Sequence, residues 1–168
     1  MRQLMNEYSP YLLQISFMYV KDWATAEDIV QECFIKFFQR PEAFKGHATL
    51  KTYLTKMVMH RATDYLRSWR AKKQAFSRFL KQPISPQQTV DEQLAQQIEQ
   101  SELLKFVLAL PLKYREVIML YYYEELTTFE MAQLLTLSEN TVKTRLRRGR
   151  ALLKKELTAA QWEAIMYE

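Results

Sequence analysis

Leu126-Thr-Thr-Phe-Glu-Met-Ala-Gln-Leu-Leu-Thr-Leu-Ser-Glu-Asn-Thr-Val-Lys-Thr-Arg-Leu-Arg-Arg-Gly-Arg150 is the stretch whose reading decides the fold. Thr127 and Glu130 stand at capping-box spacing, so each side chain satisfies a free backbone donor at a helix start. Ala132 is small enough for two helices to cross there, Leu137 plugs the turn, and Ser138 caps a following helix. Val142 and Leu146 repeat at i and i+4, the inward face of that helix. Lys143, Thr144, Arg147 and Arg148 are left outside. This pattern predicts a helix-turn-helix whose second helix fits a DNA major groove. Arg and Lys donate to guanine O6 and N7 or to phosphate, and Thr144 donates, accepts or touches a thymine methyl. The alternative is a helix hairpin with a solvated basic side. Lys154 and Lys155, beyond the reading surface, suit backbone contacts.

The rest of the chain is equally helical in character. Among 168 residues only Gly46 and Gly149 are glycine and five are proline, too few for the turns of a strand-rich fold. Leu, Lys, Gln, Glu, Met and Ala dominate long stretches, and all are good helix formers. Tyr8 to about Lys73 reads as a helical bundle. It opens on Leu12, Leu13, Ile15, Phe17, Met18 and Val20, and Asp22 caps the next helix with Thr25 three residues on. That helix carries Val30, Phe34, Phe37 and Phe38 on one side. Asp28, Gln31, Glu32 and Ile35 form a second, acidic-polar stripe at i, i+3, i+4 and i+7. After a connection punctuated by Pro41 and Gly46, a long helix begins near Thr49. It is expected to bury Leu50, Tyr53, Leu54, Met57, Val58 and Tyr65. Its other side presents Lys56, His60, Thr63, Arg67 and Arg70.

From Ala75 to Gln93 the periodicity fails, and Lys81-Gln-Pro-Ile-Ser-Pro-Gln-Gln-Thr89 reads as a linker. The expected architecture is all-α: two small helical domains, 1–74 and 94–168, joined by a flexible linker over 75–93, with the helix-turn-helix in the second. Leu94, Ile98, Leu103, Phe106, Val107 and Leu110 lead into that second domain.

The net charge of +5 points to an anionic partner, and its distribution is more specific. Seven Lys or Arg lie between Lys143 and Lys155 with no acid, and seven between Arg61 and Lys81 against the single Asp64. Cys33 is the only cysteine, which excludes an internal disulfide and a thiolate metal cluster; a small buried residue is its reading, ahead of a redox role. No basic-then-apolar leader and no apolar run near the ~20 residues of a membrane span is present, so a cytoplasmic protein without membrane insertion is expected. A glycine-rich phosphate loop is missing, and no carboxylate cluster lies near His47 and His60 at ligand spacing. Neither a catalytic site nor a metal nor a cofactor is expected.

Leu110-Pro-Leu-Lys-Tyr-Arg-Glu-Val-Ile-Met-Leu120, Glu125 to Ala132 and Thr141 to Arg150 together resemble the C-terminal domain of extracytoplasmic-function sigma factors, bacterial RNA polymerase subunits that choose promoters. In that family this domain reads the −35 element. The resemblance implies −35 contacts from Ser138, Thr141, Lys143, Thr144, Arg145, Arg147 and Arg148. The N-terminal half matches independently. Ala26-Glu-Asp-Ile-Val-Gln-Glu-Cys-Phe34 is similar to the family helix that grips the coiled coil of the polymerase β′ subunit, which implies docking through Asp28, Gln31, Glu32 and Ile35. Phe44-Lys-Gly46, Thr52-Tyr-Leu54 and Ala62-Thr-Asp-Tyr-Leu-Arg67 resemble the segment that opens the −10 element. There the family implies DNA contacts from Phe44, Lys45, Tyr53, Lys56, His60, Thr63, Arg67 and Arg70. The implied partners are core RNA polymerase, chiefly β′ and β, promoter DNA and an anti-sigma factor.

Three positions depart from the family pattern. Tyr53 stands where Trp is usual and still offers a stacking face. His60 stands where Asn is usual; it either reads a −10 base, packs beside Asp64 or contacts phosphate. Thr136 stands where Gly is frequent, which matters little as long as its backbone stays outside the left-handed region. Two other readings compete: a dimeric helix-turn-helix regulator, which leaves the N-terminal stripe without a task, and a nucleic-acid-processing enzyme.

Overall fold

A computed structural model describes residues 2–46, 48–76 and 102–157, with side chains over 2–46, 48–69 and 103–157. Every regular element among them is helical: α1 (Arg2–Val20), α2 (Trp23–Gln39), a 3₁₀ turn (Pro41–Ala43), α3 (Leu50–Phe76), α4 (Glu102–Ala109), α5 (Leu112–Tyr122), α6 (Thr128–Leu135) and α7 (Glu139–Glu156). The chain divides into two units, Met1–Val90 and Asp91–Glu168. Residues 77–93 of the expected linker, and Leu94 and Ile98, lie outside the described residues; α3 itself continues to Phe76.

In the first unit α1, α2 and α3 form a three-helix bundle. α1 begins at Arg2, six residues ahead of the expected start, with Pro10 inside it. Its inward face is Leu12, Ile15, Ser16 and Tyr19, at i, i+3, i+4 and i+7, all at most 2% exposed. Lys21 turns the chain at φ +60°, and Phe17 stacks on Trp23 with ring centres 4.0 Å apart. Asp22 then caps α2 as expected, accepting from the Thr25 N–H at 2.9 Å. Ala26, Ile29, Val30, Cys33, Phe34 and Phe37 fill the centre, while Phe38 is only half-buried. Each fully buried Ile or Phe contributes about 1.5–3 kcal/mol by leaving water. Burial also pushes the Cys33 thiol up to about 11, away from thiolate chemistry at neutral pH.

The inner face of α3 differs from the expected one. Leu54 and Val58 are buried, but the other core positions are Thr55, Met59 and Ala62; Leu50, Tyr53, Met57 and Tyr65 are half-buried. Both α1 and α2 pack against this face of the helix. Thr55 survives burial because its hydroxyl donates to Lys51 O at 2.8 Å and meets the Tyr11 hydroxyl at 3.0 Å.

In the second unit Val117 and Leu120 of α5, Met131 and Leu134 of α6, and Val142, Leu146 and Leu153 of α7 share one core. Arg115 is 4% exposed, and its Nη1 donates at 2.9 Å to Leu108 O near the end of α4. Gly149 is buried where α7 crosses α5: a Cβ there would sit 3.0 Å from Ile118 Cγ1. Thr127 and Glu130 form the expected capping box, and Ser138 caps α7. Thr136 contradicts the expectation for its backbone. It adopts φ +56°, ψ +47°, the left-handed end of α6, where the Leu137 N–H reaches Ala132 O at 2.9 Å.

Candidate nucleic-acid and partner interfaces

α7 is built to display its outer face. Ser138 Oγ accepts from the Thr141 N–H at 3.2 Å and lies 2.8 Å from Thr141 Oγ1, so both hydroxyls serve the helix start. Val142 and Leu146 are buried as expected, and Lys143, Arg147 and Arg148 are exposed with Thr144 half-buried. Lys143 Nζ lies 2.9 Å from Glu139, whose carboxylate also accepts from Thr128 Oγ1 at 2.7 Å. These contacts, Lys143 first, hold the Glu139 carboxyl below its ordinary value and tie α7 to α6.

Arg145, one of the expected −35 contacts, is engaged within the protein. Its Nη1 turns back to Glu116 of α5 at 2.7 Å, in a pair whose side chains are only 26% and 13% exposed. Arg145 therefore clamps two helices together. Arg150 does the same, donating to the Tyr122 hydroxyl at 2.8 Å and lying over the Tyr121 ring. Asn140, by contrast, is exposed beside Thr144 and was not among the expected contacts. At about 100° per residue, Asn140, Thr144 and Arg147 share the outermost line of α7. Asparagine's paired donor and acceptor suit an adenine edge.

In the first unit Phe44 and Tyr53 come together, ring centres 5.3 Å apart, and Tyr53 also meets Phe37 at 6.2 Å. The Tyr53 ring is thus pinned in an aromatic cluster at the start of α3. Lys45 is exposed beside Gly46, whose φ of +72° turns the chain. Along α3 follow Lys56, half-buried, and His60 and Arg67, exposed, on the side opposite the core. Thr63 spends its hydroxyl on Met59 O at 2.8 Å. Asp64 pairs with Arg67 at 3.6 Å, not with His60. Arg70 belongs to α3, but its side chain lies outside the described residues.

The α2 stripe is real as a surface and uneven in chemistry. Asp28 and Gln31 are exposed, and Ile35 is 55% exposed, unusual for an isoleucine. Glu32 is not a free carboxylate. Arg61 of α3 grips it with two hydrogen bonds, 2.5 and 3.1 Å, which hold the carboxyl below its ordinary value despite partial burial. Partners such as Glu32 with Arg61 and Glu116 with Arg145 lie 29 residues apart, beyond any helical spacing rule.

Among the described residues no cluster of three or more His, Cys, Asp or Glu is placed to hold a metal, and no helix is long and apolar enough to cross a membrane.

The family described as Sigma-70 region 2 matches residues 4–73, and that described as Sigma-70, region 4 matches residues 100–153. The ECF RNA polymerase sigma factor SigX of Bacillus subtilis is 30% identical over 158 residues, spanning 92% of this chain and 81% of SigX. The chain belongs to the ECF RNA polymerase sigma factors. The probable RNA polymerase sigma factor RfaY of Xanthomonas campestris is 33% identical over 85% of this sigma factor, which spans 36% of that longer relative. The fold of this sigma factor matches that of RpoE from Bartonella quintana, solved with the anti-sigma factor NepR. The TM-score is 0.72 at 20% identity, over 92% of this chain and 94% of RpoE. As a member of this class it is a transcription-initiation factor that directs RNA polymerase to promoters.

Proposed function

We propose that residues 1–74 dock core polymerase and hold the −10 strand, that residues 94–168 read the −35 duplex, and that 75–93 link the two. The observation that carries this division is one chain presenting two unlike surfaces: the Asp28, Gln31 and Ile35 stripe on α2, and the basic outer line of α7. The stripe pairs an exposed aliphatic side chain with acid and amide, which suits a mixed, basic protein surface such as that of β′. Glu32 contributes to that docking from within its pair with Arg61. Phe44, Lys45, Tyr53, Lys56, His60, Thr63, Arg67 and Arg70 line the −10 strand: cations for the backbone and aromatic edges for unstacked bases. Lys143, Thr144, Arg147 and Arg148 contact the −35 duplex, with Ser138 and Thr141 shaping the helix start.

In this reading the core enzyme, through β′ and β, supplies all nucleotidyl-transfer chemistry; the sigma factor has no catalytic residue and no cofactor. The protein acts in the cytoplasm, where polymerase and promoter are. Regulation by an anti-sigma factor is supported by the RpoE fold match, since that relative was solved with one bound.

Run-off transcription with purified core polymerase on genomic fragments tests the reading. Discrete transcripts that require both this protein and core are expected. Transcripts identical to those of core alone would overturn it.

A further inference from the structure

We propose that a cleft between the first turn of α5 and the flank of α7 is a cradle for one DNA backbone phosphate, held by Lys113, Tyr114 and Arg148. The inference rests on α7 being the DNA-reading helix and divides its basic residues into two jobs. The cleft has a volume of about 290 Å³ and is lined by Lys113, Tyr114, Thr141, Thr144 and Arg148, among others.

Three features make it suited to an oxyanion. First, two exposed cations face it from different helices, Lys113 on α5 and Arg148 on α7. A third, Arg145, borders it but is neutralised by Glu116, so the charge offered is that of the other two. Second, the Lys113 ammonium lies 5.0 Å from the centre of the Tyr114 ring, which keeps it over the cleft. Third, the Arg148 guanidinium, and after it the Lys113 ammonium, hold the Tyr114 phenol below its ordinary value. The phenol oxygen therefore sits in positive potential. Lys113 and Arg148 present only donors, and the Tyr114 hydroxyl adds another, to an anion that has only acceptors.

The position fits a duplex as well as the chemistry does. At about 100° per residue, Thr141 and Arg148 fall on the α5 edge of α7, while Lys143 falls on the α6 edge with Glu139. With the outermost line of α7 in the major groove, the two edges face opposite walls, each a phosphate backbone. On the α6 edge that wall meets the start of α6, where helix-turn-helix proteins rest on DNA. On the α5 edge it meets this cleft. Arg148 is then a positioning residue that fixes register, and base selection falls to Asn140, Thr144 and Arg147.

The test uses holoenzyme assembled from the full chain and core polymerase, bound to −35 duplexes selected by the wild-type holoenzyme from a randomised pool. Lys113→Gln is expected to weaken binding about 3–10-fold on all of these duplexes alike, and to make the log–log salt dependence shallower by about 0.9, the value for one lost phosphate contact. Tyr114→Phe is expected to weaken binding severalfold with the salt slope unchanged, because a donor is lost without a charge. A neutral methylphosphonate, placed at each backbone position in turn, should weaken the wild type at one position where it leaves Lys113→Gln unaffected. Wild-type affinity and salt slope in Lys113→Gln would overturn the cradle, as would a changed base preference in either variant. Failure of the underlying reading looks different. In that case Arg147→Ala keeps full −35 selectivity, whereas loss of the cradle alone leaves the Arg147→Ala defect in place.

Discussion

Thr136 holds a β-branched side chain at φ +56°, a backbone conformation that costs a non-glycine residue about 1–2 kcal/mol. The strain persists because Ala132 O and the buried Leu134 fix the end of α6. Thr136→Gly removes it, and the extra freedom of glycine in the unfolded chain offsets part of the gain. A net stabilisation of about 0.5–1 kcal/mol is expected, read as a higher denaturation midpoint by circular dichroism; a lowered midpoint would contradict the strain. At the reading face, Arg147→Ala should weaken −35 binding by about 1–3 kcal/mol and relax selectivity at one base. Arg145→Ala should instead lower stability and leave base preference unchanged, because its guanidinium is spent on Glu116. Denaturation and base-selection profiles on the same variants separate the two roles. His60, exposed and not joined to Asp64, is free to meet DNA. His60→Asn is therefore expected to alter the preferred −10 bases in transcription from a randomised library, with core affinity unchanged. An unchanged base profile would retire the base-reading role.

At the scale of elements, one ionic clamp joins α2 to α3 and another joins α5 to α7, and the first separates two acidic residues that share a stripe. Asp28→Lys alters an exposed position and should weaken core binding with the fold intact. Glu32→Lys puts a second cation against Arg61, so it should also loosen α2 from α3 and lower the melting temperature. A polymerase pull-down combined with thermal denaturation distinguishes them; equal melting temperatures would mean the clamp is energetically idle. The Glu32 side chain is 44% exposed, so solvent limits the pair to no more than about 1 kcal/mol. The α5–α7 crossing is less forgiving. Gly149→Val places branched methyls where Ile118 already stands, and a loss of about 2 kcal/mol or more is expected on denaturation.

Across the whole molecule, acid should erode both units, and the sign follows from the carboxylates. Glu32, Glu130 and Glu139 are all held below 4.5, the first by Arg61, the second by the Thr127 hydroxyl and backbone, the third by Lys143 and Thr128. A group lowered on folding lends stability above its unfolded value and withdraws it as pH falls through the folded one. Stability should thus be lost as pH falls below the ordinary carboxylate range, through the lowered folded values. Glu27 acts oppositely in the first unit, since burial raises its carboxyl and protonation relieves that cost. Glu130→Gln keeps an amide at the capping position and should flatten the acid limb of the melting profile. An unaltered limb in that variant would show that the cap does not contribute to it.

Local rules carried the elements, their caps and the family. The Thr127–Glu130 box, the Asp22 and Ser138 caps and the Val142–Leu146 spacing involve residues within four positions of one another, and each appears as its pattern predicts. Such contacts depend on helical geometry alone. The burial of Thr55, Met59 and Ala62 on α3 depends instead on α1 and α2 packing against that face. The left-handed turn at Thr136 ends α6 against the preference of its own side chain. Likewise, the pairing of Arg145 with Glu116 and of Glu32 with Arg61 is set by residues 29 positions away, because a charge pairs with whichever opposite charge the fold brings within reach.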